Sequence, residues 1–348
     1  MILPHSPLRL TLDSHALISN WRWLDGMSGP AACGAAIKAD GYGTGARDVL
    51  SHLAKAGCRD FFVATWAEAE MLLPLLGSSS LSVLHGFAAE DLQHAIGSSA
   101  RPVLNTPQQV QRWREQGQGR PCDVMVDTGM NRLGLSVSDI AGGLLDGLNI
   151  EILMSHLASA DEDSAMNRQQ LETFRQATQG IPARRRSLAN SAGICLGSAY
   201  CFDLTRPGLA LYGGVPRAEA KDNLRQVARV EAQIVQRRTV ERGDSIGYNA
   251  LFLADRTHEV AILNIGYADG YLCGFSNRGR ALINADFAPV AGRVWMDLTA
   301  ILVDGAPELR EGDWVEMDFD LPSAAVQSGL SQYELLTNLG ARYRRNWI

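Results

Sequence analysis

The stretch Gly34–Ala46, GAAIKADGYGTGA, places a single lysine at the end of a run of small and apolar residues. A glycine-rich, tyrosine-bearing turn follows at once. The run reads as a buried strand, and Lys38 closes it. A charged lysine is costly to desolvate. At a buried strand end it either reaches back to solvent or has a shifted pKa and a task. A lysine in such a site is well suited to forming a Schiff base with a carbonyl compound or an aldehyde cofactor. The glycines beside it let a compact loop pass close to a bound group.

Working outward, the same kind of run recurs: AACGAAIK (31–38), DFFVAT (60–65), LSVLHG (81–86), RPVLN (101–105), CDVMVDTG (122–129), IEILMSHLA (150–158), RRSLANS (185–191) and FDLTRPG (202–208). Each is short and bounded by Gly, Pro, Asn or Ser, as buried parallel strands are. Helical spacing fills the intervals: Val49, Leu50, Leu53 and Ala54 form one stripe in ARDVLSHLAKAG, and WAEAEMLLPLLG and MNRQQLETFRQAT behave likewise. Eight such units are what an (α/β)8 TIM-type barrel needs. A doubly wound open sheet is the competing architecture.

After about residue 225 the texture changes to alternating Val, Ile and Thr between turn residues, which reads as a C-terminal β-rich domain. A short helix is expected around SAAVQSGLSQYELLTNLG. The expected domains are 9–222 and 223–348. The alternating LRLTLDSH gives residues 1–12 a place in the second.

The 348 residues are 46% hydrophobic, enough for a sizeable core, and the net charge of -6 is spread along the chain. No basic block marks a nucleic-acid face; Arg184–Arg185–Arg186 reads as a solvated strand start. Cysteines 33, 58, 122, 195, 201 and 273 form no C-x-x-C pair and no zinc spacing, so reduced thiols and no metal are expected. The opening MILPHSPLRLTL lacks the layout of a signal peptide. No apolar run approaches the roughly 18 residues of a membrane span. A soluble, cytoplasmic protein with no membrane partner is the expectation.

Working residues of a barrel stand at the C-terminal ends of its strands. Those ends carry Lys38 and Tyr42; Asp127, Asn131 and Arg132; Ser155 and His156; Asn190 and Ser191; Arg206 and Gly208. Each has a plainer reading. Arg206 in LTRPG suits a buried, paired arginine, and His156 a satisfied core histidine. Ser191 in NSAG suits a helix N-cap, although such a terminus also binds phosphate. Tyr267 in IGYADGY suits a packed aromatic, with Gly266, Asp269 and Gly270 making a tight turn.

Together these pieces resemble the alanine racemase family. AAIKADGYGTG resembles its pyridoxal phosphate lysine motif. VDTGMNRLG (126–134), SHLASAD (155–161), ANSAG (189–193), LTRPGLALYGG (204–214), NIGYADGY (264–271) and GRVWMDL (292–298) resemble further signatures in the expected order. The resemblance spans nearly the whole chain. It implies a pyridoxal 5'-phosphate cofactor held by Lys38, with Lys38 and Tyr267 as the two acid/base groups. It implies a homodimer in which Tyr267 comes from the partner subunit. Arg206 would face the pyridine nitrogen, with His156 bridging Arg206 and Tyr267. Protonated, His156 and Arg206 would favour the Tyr267 phenolate. Tyr42, Ser191, Gly208 and Leu209 would hold the phosphate, and Arg132 and Met296 the substrate carboxylate. The implied reaction interconverts L- and D-alanine, for peptidoglycan or for catabolism. A serine or broad-specificity racemase, and a non-catalytic cofactor-binding barrel, are the alternatives; a barrel decarboxylase using the same cofactor fits the motifs less well.

Three positions depart from the family pattern. Met125 stands where many members have a carbamylated lysine that fixes the substrate-binding arginine. A bound anion or Asn131 is the expected substitute. Trp295 replaces a smaller residue and is expected to narrow the substrate mouth. Ala341 stands where a phosphate-contacting tyrosine is common, with Tyr343 a possible stand-in.

Overall fold

The computed structural model describes residues 5–284 and 286–348. Residues 1–4, part of the segment expected to join the second domain, lie outside them. The chain divides into two compact units, residues 17–225, and residues 226–348 together with the N-terminal segment up to residue 16.

In the first unit, Ala35–Ala36, Asp60–Val63, Ser80–Val83, Arg101–Leu104, Cys122–Met125, Ile150–Met154 and Arg185–Ser187 pair in parallel, in chain order. Leu204–Thr205 pairs in parallel with Ala32–Cys33. On its other side, the Asp203 and Arg206 N–H groups donate to the Arg186 and Ala189 carbonyls at 3.0 and 2.9 Å. The last strand therefore joins both the first and the seventh. An open sheet would leave both free, so the doubly wound alternative is excluded. The helices lie where the apolar stripes place them, for example Ala46–Ala56 with Val49, Leu50 and Leu53 buried.

The strand starts hold a polar network that the sequence reading passed over. Arg185 donates to both oxygens of Asp60 at 2.8 and 2.7 Å. Arg101 reaches Asp123 at 3.1 Å, and Ser82 donates to the same carboxylate at 2.5 Å. Asp123 also accepts the Ile152 N–H at 3.1 Å. The arginine triplet is thus not merely solvated: Arg185 is a partner in an inward ion pair. Buried charges require such partners.

The second unit is built on one long strand, Ala228–Val240, whose alternate residues are buried. It pairs antiparallel with Leu8–Leu12, Trp314–Met317 and His258–Leu263, using an irregularity between Ile234 and Gln236 to change partners. Arg344–Trp347 pairs in parallel with Leu8–Leu12. The single helix expected near the C-terminus is two, Leu321–Ser328 and Gln332–Thr337, separated at Gly329. Among the described residues no helix is long and apolar enough to cross a membrane.

Candidate active site

Past Lys38 the backbone turns left-handed. Ala39 (φ 52, ψ 49), Asp40 (φ 51, ψ 50), Gly41 (φ 63, ψ 42) and Tyr42 (φ 54) follow one another in that region. For each L-residue the conformation costs about 1–2 kcal/mol. Local bonds and one tertiary carboxylate hold it. The N–H groups of Gly43 and Gly45 donate to the carbonyls of Ala39 and Asp40 at 2.9 and 2.8 Å. The Asp40 carboxylate accepts from Ala46, the first residue of the next helix, at 2.9 Å. Glu68 Oε1 accepts the Ala39 N–H at 2.6 Å, while Oε2 accepts those of Ala64 and Thr65 at 2.7 and 3.2 Å. One carboxylate therefore ties the ends of the first two strands together.

The groups at this barrel mouth are close enough to perturb one another. Burial holds the Lys38 ammonium below its usual range, Arg132 lowers it further, and Glu68 opposes both. Burial, then Arg206, Arg132 and Lys38, push His156 down to about 3. Its imidazole is neutral at neutral pH, which removes His156 as a source of positive charge. Burial lowers Arg206 to about 10, partly offset by Asp123. Arg206 therefore remains a cation. Its guanidinium donates to Ser187 Oγ and, at 2.5 Å, to the Ser155 carbonyl. Among the described residues no hydrogen bond joins Arg206 to the His156 ring, so that half of the expected bridge is absent. The guanidinium has neutral acceptors as its hydrogen-bond partners. A cluster of Lys38, Arg132 and Arg206 so arranged suits an anionic ligand.

Beside this cluster lies a cradle. Asn190, not Ser191, caps the short helix Ser191–Cys195, its side chain accepting from Gly193 at 2.8 Å. That leaves Ser191 Oγ to accept the N–H groups of Gly208 and Ala210 at 2.9 and 3.2 Å. A Cβ on Gly208 would collide with the Tyr42 hydroxyl and sit 2.9 Å from its ring Cζ. The Tyr42 ring is itself fixed by stacking on Tyr212, centroids 4.8 Å apart, and Tyr212 donates to the Ala36 carbonyl at 3.1 Å. Leu209 opens the turn that carries Tyr212.

Arg132 is exposed on a loop organised by Asp127. Oδ1 of that residue accepts the N–H groups of Gly129, Met130 and Asn131 at 2.9, 2.9 and 3.1 Å. Val126 and Leu135 bridge its base. Among the described residues the Asn131 side chain makes no hydrogen bond to Arg132, so Asn131 does not replace the lysine absent at Met125. What fixes the loop is the Asp127 carboxylate acting on the backbone. Met125 itself is buried in the fifth strand.

The β-rich unit carries the remaining residues. Tyr267 (39% exposed) and Met296 (54% exposed) stand on adjacent turns, with the Tyr267 and Ala268 N–H groups donating to the Trp295 and Met296 carbonyls, both at 2.9 Å. The Trp295 ring is half-buried against its own unit. It lies against Gly247, where a Cβ would come within 2.8 Å, and packs on the cluster of Val240, Ile246 and Val260. Tyr343 is buried inside this unit, and burial pushes its phenol up.

Residues 12–216 match the model of the alanine racemase N-terminal domain, and residues 227–347 that of the C-terminal domain. The chain belongs to the alanine racemase family. An alanine racemase of Methylobacterium nodulans is 40% identical over 98% of this chain and 96% of its own. The biosynthetic and catabolic alanine racemases of Agrobacterium fabrum are each also 40% identical, over 99% and 97% of this chain and 94% and 92% of theirs. The crystal structure of the Bartonella henselae alanine racemase, with covalently bound pyridoxal phosphate, is 33% identical, with a TM-score of 0.93, covering 99% of this chain and all of that one.

Against this family background, two supporting residues stand out that the motif reading missed. Glu68 forms a capping box with Thr65, and the T-x-x-E spacing in ATWAE was its visible signal. Gln170 is buried on the helix Ala165–Thr178. It donates to the His156 carbonyl at 3.0 Å and to Thr128 at 3.2 Å, and accepts from the Ala158 N–H at 2.9 Å. Nothing in the sequence separates this glutamine from a solvated one.

Proposed function

We propose that this chain racemises alanine with bound pyridoxal phosphate, Lys38 and Tyr267 handling the Cα proton on opposite faces of the substrate. The observation that carries the reading is the cationic mouth formed by Lys38, Arg132 and Arg206, next to the cradle of Tyr42, Ser191 and Gly208. The close approach of the Tyr42 hydroxyl to the Gly208 backbone, which a Cβ there would block, and the surplus of positive charge both fit a phosphate-bearing ligand. When bound, the cofactor supplies the electron sink that makes the Cα proton acidic.

The chain's own residues then divide the work. Lys38 would hold the cofactor, and its depressed pKa increases the share of neutral amine able to act as nucleophile and base. Tyr42, Ser191, Gly208 and Leu209 would hold the phosphate, and Arg132 and Met296 the substrate carboxylate. Arg206, a cation at neutral pH, would disfavour a proton on the ring nitrogen facing it and so temper the sink. His156 is neutral, so the charge that favours a Tyr267 phenolate would come from Arg206. Lys38 and Tyr267 each serve as base in one direction and acid in the other. The exposed Tyr267 would come from a second copy of the chain, making a homodimer the active unit. A cytoplasmic enzyme supplying D-alanine for peptidoglycan, or consuming it, fits this chemistry. The equal identity to biosynthetic and catabolic relatives favours neither role.

Racemisation rates for alanine, serine, lysine and arginine test the substrate. Alanine is expected to be fastest. Serine outpacing alanine would move the assignment to the serine or broad-specificity reading, and no turnover of any would favour a non-catalytic barrel. The cradle has its own test. Gly208→Ala drives a methyl into Tyr42, an overpacking that should weaken pyridoxal phosphate binding about tenfold or more. Absorbance titration of the cofactor-free protein measures it; unchanged affinity would remove Gly208 from the cradle.

A further inference from the structure

The turn that carries Tyr267 is clamped from beneath by one arginine. Asp269, two residues after Tyr267, has no solvent exposure and accepts the Gly266 N–H at 3.0 Å. Arg342 meets this carboxylate in a two-pronged pair, Nε to Oδ1 at 2.6 Å and an Nη to Oδ2 at 2.8 Å. Its other Nη reaches Asp297 Oδ1 at 2.7 Å. Asp297 directly follows Met296, whose carbonyl accepts from Ala268 at 2.9 Å. A single planar guanidinium thus spans the tyrosine turn and the methionine turn. Backbone fit reinforces it. Gly340 donates to the Asp269 carbonyl at 3.2 Å. Gly270 has φ 91, and a Cβ on it would lie 2.7 Å from the Asn338 carbonyl carbon.

We infer that Arg342 is a positioning residue for the reaction, fixing the Tyr267 hydroxyl relative to the Met296 turn through Asp269 and Asp297. The inference rests on the reading of Tyr267 as one of the two proton carriers. An arginine suits the task because its rigid fork fixes direction as well as charge, which a lysine cannot reproduce. Proton transfer is sensitive to such placement, and a shift of about 1 Å can cost a hundredfold in rate.

Arg342→Lys keeps the charge and loses the fork. Asp297→Asn removes only the half-exposed arm and leaves the buried pair intact. The enantiomers of alanine have equal free energy in water, so kcat/KM falls equally in both directions and cannot reveal which residue is disturbed. Isotope effects with Cα-deuterated L- and D-alanine can. If the clamp serves Tyr267, its loss slows the tyrosine step alone. The isotope effect then rises for the enantiomer whose Cα hydrogen Tyr267 takes and falls toward one for the other. We expect a drop in kcat of about tenfold to hundredfold for Arg342→Lys, a smaller one for Asp297→Asn, and this same asymmetry in both. Faster hydrogen exchange at the Tyr267 and Ala268 amides should accompany it. Tyr267→Phe is the reference. If it shows no asymmetry, the two-base reading fails. If it does and neither clamp variant follows, the inference about Arg342 is overturned and the pair is a stabilising one. An Arg342→Lys protein that does not fold leaves Asp297→Asn to decide in the same way.

Discussion

Lys38→Ala protein should retain no covalently attached pyridoxal phosphate and lose racemase activity by at least about 10³-fold. Borohydride reduction followed by mass spectrometry reads the attachment, and a coupled assay the rate. The loss follows from position: no other lysine stands at the ends of the barrel strands, and the left-handed turn behind Lys38 is held by Asp40 and Glu68 for this one side chain. Mixed with Tyr267→Phe and allowed to exchange subunits, the same variant should recover about a quarter of wild-type activity. Half of a random mixture is heterodimer, each with one intact site when Lys38 of one copy works with Tyr267 of the other. No recovery despite exchange would mean that the two residues act within one copy.

Much of this architecture is legible in the chain because the barrel strands are short apolar runs, each ended by a turn residue and each followed by one helical stripe. Such signals are local, and the eight runs locate the strands closely. The polar strand ends are legible for the same reason, since a barrel presents them together. What escaped is non-local. Asp60 and Arg185, paired inside the barrel, are 125 residues apart, and separately each looks like a solvated charge. Glu68 reaches Ala39 across 29 residues, and Arg342 reaches Asp269 across 73. Ala39 and Tyr42 have no local preference for the left-handed region, so only the surrounding bonds explain their conformation. The departures at Met125 and Trp295 were visible as departures. The surroundings of those positions were not, because the Arg132 loop hangs on Asp127 binding backbone amides and the Trp295 ring packs over Gly247.

The second large effect belongs to Tyr267. Tyr267→Phe keeps the ring and removes the proton-carrying hydroxyl, so kcat should fall by about 10²–10⁴-fold, the usual contribution of a positioned acid or base. The cofactor attachment through Lys38 should survive, which separates this loss from that of Lys38→Ala. The decisive reading is the primary deuterium isotope effect on kcat/KM for each enantiomer of alanine in the Tyr267→Phe enzyme. If Lys38 and Tyr267 work on opposite faces, the effect will be large for one enantiomer and close to one for the other. Equal effects for both would contradict the assignment of two separate bases.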